Sequence, residues 1–312
     1  MIIDGHAHIF ESILGLNRDG VTTSGEYGRF RAGTMERAFM PAAFKKVTFD
    51  SEMLLASMDE AGIDFAVLLQ NPTIGERNQE IQSSVLRSGG RLAGTILIDP
   101  FDGYEPGAVL NQWSSPLVQS CKIEMSETWG LSGIHPDASW RSAEMGAVFR
   151  AVADRGLKLI LDPGPMTERG YDVEGLEALF EEYDSVPVLL EHFGYPSPET
   201  STDATQKKLW RSMVSLARMQ NVYLGLSALP ELLMDDYPCE TSLSLIKEVL
   251  DIVGEQKIIW GSDIPSTLRR MTYRQMYSYI LGSDLPNSVV SRILGGNALE
   301  FFPELSESRG IL

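Results

Sequence analysis

Histidine and cysteine are scarce in this chain. Its 312 residues include two cysteines, Cys121 and Cys239, and four histidines, His6, His8, His135 and His192. The cysteines are far apart and have no CxxC spacing, so the expectation is two buried thiols in a reducing cytoplasm, with a single disulfide as the alternative. Positive charge is also in short supply. There are 26 basic residues against 43 acidic ones, a formal net charge of −17. Such a balance argues against a nucleic-acid partner, which needs a basic face, and against a polybasic membrane anchor. The start, Met1-Ile2-Ile3-Asp4, lacks the basic and apolar regions of a secretory signal. No apolar run reaches the ~20 residues of a transmembrane span. No internal repeat stands out, and no glycine-rich phosphate loop follows the first apolar segment, which weighs against a doubly wound nucleotide-binding sheet.

What the chain does have is eight short apolar runs alternating with amphipathic stretches. The runs are Ile2–Asp4, Phe65–Leu69, Leu92–Ile98, Cys121–Glu124, Leu157–Leu161, Val186–Glu191, Val222–Gly225 and Lys257–Gly261. Most are apolar throughout, as strands covered on both faces must be. Helices are expected over Ser51–Ala61, ending at Gly62, and over Ala143–Arg155, ending at Gly156. Others are expected over Val173–Tyr183, Thr205–Met219, Ser242–Val253 and Tyr273–Leu281. Eight such units predict an α/β fold, a (β/α)₈ TIM barrel occupying residues 1–312 as one domain. The stretch 10–48 is expected to be a long loop after the first strand, forming a partial lid on the catalytic face.

Three phrases end apolar strands in chemically useful residues. In Asp4-Gly5-His6-Ala7-His8 the two imidazoles are two residues apart, so a strand turns both to one side. Neutral imidazole is a common ligand for zinc and related ions. In Val188-Leu189-Leu190-Glu191-His192-Phe193-Gly194 a histidine ends the sixth run. In Ile258-Ile259-Trp260-Gly261-Ser262-Asp263-Ile264-Pro265 an aspartate ends the eighth, where a buried carboxylate needs a partner or a metal.

Together these phrases resemble the amidohydrolase superfamily. More narrowly, they resemble the amidohydrolase-2 group of metal-dependent TIM-barrel hydrolases, which includes aminocarboxymuconate-semialdehyde decarboxylase and related decarboxylases, hydratases and lactonases. Ile293-Leu294-Gly295-Gly296-Asn297-Ala298-Leu299 matches the group's Asn-Ala signature near the last helix. The resemblance covers nearly the whole chain and is poor at naming a substrate. It implies that His6 and His8 are metal ligands. Asp263 would be a ligand or the proton acceptor for an activated water, and His192 a ligand or general acid/base. One departure is clear: where many members carry a histidine at the end of strand five, this chain has Asp162, in Leu161-Asp162-Pro163-Gly164. The fifth-strand ligand is then a carboxylate or missing, and some lactonases of the wider family are thought to work without metal.

In Cys121-Lys122-Ile123-Glu124, residues 122 and 124 share a face. Glu124 is therefore a candidate oxygen ligand, and Lys122 a candidate grip for a substrate carboxylate, with an internal Lys–Glu pair as the alternative. Trp129 and His135, in the loop after strand four, are candidate substrate contacts. Arg269, after strand eight, suits an anion. The expected activity is metal-dependent hydrolysis of a small amide, ester or lactone with an acidic group. The alternatives are non-oxidative decarboxylation or hydration of an aromatic-derived acid, and a metal-free lactonase. The expected cofactor is a divalent ion, zinc first and manganese second. The expected partner is a small-molecule substrate, in a cytoplasmic protein compatible with a homodimer.

Overall fold

The computed structural model describes residues 1–307. Eight strands run parallel in chain order: β1 Ile3–His8, β2 Phe65–Leu69, β3 Leu92–Leu97, β4 Val118–Glu124, β5 Lys158–Asp162, β6 Val188–Leu190, β7 Val222–Ser227 and β8 Ile258–Gly261. A helix follows each in turn: α1 Ser51–Ala61, α2 Asn78–Arg87, α3 Pro106–Trp113, α4 Ala143–Ala153, α5 Val173–Glu182, α6 Ala204–Ser215, α7 Glu240–Val253 and α8 Gln275–Leu281. The sheet closes where β8 runs on beside β1: Ile264 bridges Ala7 in parallel, His8 N donates to Ile264 O at 2.9 Å, and Asp263 N donates to His6 O at 2.8 Å. The result is the (β/α)₈ barrel that the sequence predicts.

Helix boundaries follow local chemistry. Asp50 accepts from Met53 N at the start of α1, and Gly62, at φ 77°, ends it. Ser142, Asp172 and Asp203 cap α4, α5 and α6 in the same way. The helices α2 and α3 are additional to those expected.

Alternation along each strand sorts the interior into layers. On β5, Lys158 sits at the bottom and pairs with Glu304 at 2.9 Å, Ile160 lies in the middle, and Asp162 reaches the mouth. The middle is apolar: Ile3, Val67, Ile160, Leu189 and Ile259 cluster with Ala298, Phe301 and Phe302 from the C-terminal segment, which plugs the base. Alternate residues such as Leu159, Leu161, Val188 and Leu190 point outward into the larger core under the helices. A break in pairing register between Asp4 and Ala7 lies just where β1 turns polar.

The long connection after β1 is present, but it is folded. Leu14–Asn17, Gly20–Ser24, Arg29–Ala32 and Met35–Ala38 form a four-stranded antiparallel sheet. Phe30 and Phe39 from this sheet and its exit pack against Trp129. Arg29 and Arg31 pair with Glu36, and Arg37 with Asp19, so these arginines are spent within the insertion. Cys121 and Cys239 are both buried free thiols. Among the described residues, no helix is long and apolar enough to cross a membrane.

Candidate active site

The C-terminal ends of the strands open into a cavity of about 310 Å³. Its lining includes His8 from β1, Lys122 and Glu124 from β4, Asp162 from β5, His192 after β6, and Asp263 and Arg269 after β8. Trp129, Phe39, Tyr195 and Leu232 give it an apolar wall.

Three ligand-type atoms meet at its floor. His6 Nε2 and His8 Nε2 are 3.1 Å apart, and Asp263 Oδ1 lies 3.5 Å from the first and 3.1 Å from the second. The far side of each ring is already committed. His6 Nδ1 faces Glu191 Oε2 at 2.9 Å, and His8 Nδ1 faces Leu69 O at 2.9 Å. Both partners are acceptors, so each Nδ1 carries a hydrogen, and each ring turns its Nε2 toward Asp263. Two bonds of about 2.0 Å at a tetrahedral angle hold their donor atoms about 3.3 Å apart. The observed spacing therefore fits a divalent ion held by His6, His8 and Asp263.

The charge balance points the same way. Glu124, Asp162, Glu191 and Asp263 set four carboxylates against two cationic side chains, Lys122 and His192. When all are ionised the excess is two negative charges. Burial works against the charge on Asp263, yet the contact with His8 Nε2 at 3.1 Å holds its carboxyl well below the usual range. Burial pushes the His6 imidazolium far down, which leaves the neutral ligand form. Burial disfavours the His192 cation too, but Asp162, with Oδ2 at 3.2 Å from Nε2, lifts it to about 9. Burial opposes the charge on Lys122 as well, but Glu124 at 3.3 Å and the surrounding carboxylates raise it.

The backbone at the mouth is strained. His192, Phe193 and Tyr195 have φ of 57°, 53° and 55°, and Asp263 has 59°. Left-handed backbone costs a non-glycine residue of order 1–2 kcal/mol and gathers at functional sites. Here it swings two side chains off their strand directions and into the mouth.

Not every sequence candidate reaches the same point. Glu124 lines the cavity but spends its oxygens on Lys122 and Ser126. Asp162 also lines it and is held by His192 and by Gly164 N. Neither carboxylate belongs to the three-ligand cluster. Arg269 stands at the rim, where its guanidinium donates to Glu231 Oε1 at 2.5 Å and to Ala38 O. His135 does not line the cavity; it pairs with Asp99 at 2.7 Å and packs on Phe101. Glu191, Ser227, Tyr195 and Glu231 were not foreseen as site residues. Glu191 alone carried a sequence signal, an acidic residue on the inward parity of an otherwise apolar strand.

The sequence pattern of the amidohydrolase family matches residues 3–303, and the chain belongs to that family. No curated protein matches it. Among solved structures it is similar to a probable 2-pyrone-4,6-dicarboxylic acid hydrolase from Acinetobacter baumannii with citric acid bound, at 17% identity and TM-score 0.68 over 97% of this chain and 99% of that one. An amidohydrolase from Burkholderia multivorans with bound zinc gives 17% identity and TM-score 0.65 over the same shares. A 5-carboxyvanillate decarboxylase from Novosphingobium aromaticivorans, complexed with manganese and 4-hydroxy-3-methoxy-5-nitrobenzoic acid, gives 17% and 0.60 over 82% of this chain and 81% of that one. At such identities the likeness establishes the shared barrel.

Proposed function

We propose that the chain is a metal-dependent hydrolase of a small lactone, ester or amide bearing an acidic group. The observation that carries this reading is the convergence of His6 Nε2, His8 Nε2 and Asp263 Oδ1 at the floor of a cavity also lined by Lys122, His192 and Arg269. Zinc is the proposed ion, with manganese as the alternative; the neighbours from B. multivorans and N. aromaticivorans carry those two metals. Such an ion supplies Lewis acidity toward a water and a scissile carbonyl. Asp263, which would help to hold the ion with His6 and His8 and whose Oδ2 accepts from Ser266 Oγ, takes the proton from the attacking water and returns it to the leaving oxygen or nitrogen. His192, cationic beside Asp162, donates to the carbonyl oxygen as negative charge builds there. Lys122 and the rim guanidinium of Arg269 draw in the acidic group. Trp129 and Phe39 exclude water from its apolar part. The cytoplasm is the proposed location, a reading supported by the two buried free thiols.

Asp263→Asn should lower kcat/KM on a panel of lactones and esters by on the order of 10²–10⁴ while the far-ultraviolet spectrum stays unchanged. A folded variant with near-normal turnover would remove Asp263 from the chemistry. Elemental analysis before and after chelation tests the ion; activity that survives complete metal loss would point to a metal-free lactonase. The His192–Asp162 pair also favours a second reading, decarboxylation of an aromatic-derived acid, because a buried, charged imidazolium at the cavity wall can deliver a proton to carbon. Release of CO₂ from aromatic acids, rather than uptake of water by lactones, would select it.

A further inference from the structure

Glu191 lies beneath the histidines and is fully buried. Its Oε2 accepts from His6 Nδ1 at 2.9 Å and from Ser227 Oγ at 2.7 Å, while Oε1 has no hydrogen-bond partner. An ionisable group left half-satisfied in the interior destabilises a fold, so packing alone gives no reason for it. The slot that holds it is built for it. A Cβ on Gly225, the neighbouring inward position of β7, would lie 2.4 Å from Glu191 Oε2. Glycine there clears the space that the carboxylate fills.

Ser227, two residues further along β7, continues the chain of contacts. Its single hydroxyl hydrogen goes to Glu191 Oε2. Its oxygen is then left only to accept, and it accepts from His192 N at 3.2 Å. His192 Nδ1 also lies 3.2 Å from that oxygen. With the hydroxyl hydrogen committed elsewhere, this contact is a hydrogen bond only if Nδ1 is the donor. The geometry runs His6–Glu191–Ser227–His192, from one side of the mouth to the other.

We propose that Glu191 and Ser227 are positioning residues that set the two histidines as a pair. Glu191 holds His6 as the Nδ1–H tautomer with its Nε2 lone pair facing the ligand cluster. Ser227, by donating to Glu191, obliges His192 to point an Nδ1–H at it, which turns the Nε2 edge toward Asp162 and the cavity. Neither residue touches substrate. The proposal rests on the reading of His6, His8 and Asp263 as a metal site only for its effect on affinity; the tautomer assignment stands on the contacts alone.

The test uses the full chain labelled with ¹⁵N-histidine. With four histidines in the sequence, each ring can be assigned by substitution. In metal-free wild type, His6 should show a protonated Nδ1 and an unprotonated Nε2. Glu191→Ala should convert that signal to a mixture of tautomers. Ser227→Ala should move the His192 Nδ1 signal and leave His8 in place. Zn²⁺ and Mn²⁺ affinity, measured against a chromogenic chelator, should fall about 10–100-fold in Glu191→Ala and by less in Ser227→Ala. Should Glu191→Ala fail to fold, Ser227→Ala and Glu191→Gln carry the test. The amide of Glu191→Gln keeps an acceptor for His6 but loses the charge, so it should keep the tautomer and still weaken the metal. Unchanged histidine signals in folded Ser227→Ala and Glu191→Ala variants, or wild-type metal affinity in folded Glu191→Gln, would overturn the proposal. A wild type that binds neither ion but shows the expected tautomers would overturn the metal reading and leave the positioning role standing.

Discussion

Asp4 shows how a single side chain can carry a closure. It lies at the seam between β1 and β8 and accepts four hydrogen bonds: from His6 N at 3.0 Å, Ser262 N at 2.8 Å, Ser262 Oγ at 2.5 Å and Tyr273 OH at 2.6 Å. Burial nonetheless pushes its carboxyl up to about 6. The residue next to Ser262 is Asp263, so the same contacts fix where the proposed proton acceptor begins. Asp4→Ala strands four donors in a dry interior at roughly 1–3 kcal/mol for each one left unmade. The expected loss is on the order of 3–5 kcal/mol, partly relieved by water, read as a lower urea midpoint. His6, His8, His192 and Asp263 were legible in the sequence because each ends an apolar strand, and barrel geometry brings strand ends together. Their partners were not. Nothing local joins His135 to Asp99 or Ser227 to Glu191, since each pair forms only after distant strands and loops have met. The left-handed run at His192, Phe193 and Tyr195 was equally hidden, because non-glycine side chains give no sign of such backbone.

Elements with their own end signals matched expectation best. The helix α1 was readable to the residue, since Asp50 and Gly62 bracket it. The antiparallel insertion was not readable. Its strands are four or five residues long, and although Arg29–Ala32 alternates exposed and buried positions, so short a period is weak evidence beside five nearby glycines. A similar end signal on α5 yields a prediction. Asp172 accepts from Gly175 N and forms paired contacts of 2.7 Å with Arg141. The Arg141 donors hold its carboxyl below the usual range, outweighing its partial burial. A depressed folded value means that the contribution is present above the ordinary carboxylate pKa and is lost as pH falls through the lowered one. Asp172→Ala should therefore cost about 1 kcal/mol at neutral pH, and the gap from wild type should close as unfolding is repeated at pH values falling below the ordinary carboxylate range.

For the molecule as a whole, the proposed ion couples chemistry to stability. The cluster requires residues from the first and last strand regions, 6, 8 and 263, and so exists only when the barrel is closed. A ligand that binds only the folded state at a thousand times its Kd stabilises by about 4 kcal/mol. For a chain of this size that is on the order of 8 °C in Tm. Zinc or manganese added to chelator-treated protein should raise Tm by about that much, and His6→Ala should abolish the rise in scanning calorimetry. The folded insertion has a different consequence. It supplies Phe39 and Ala38 to the cavity wall, whereas the ligand cluster and the His192–Asp162 pair come from barrel strands and the turns that follow them. Part of the cavity wall is thus written in a stretch of chain that holds none of the reacting residues, while Trp129, Tyr195 and Leu232 complete it from the turns after barrel strands. Changes at Phe39 should therefore alter which molecules are admitted while leaving the ligand cluster and the His192–Asp162 pair in place.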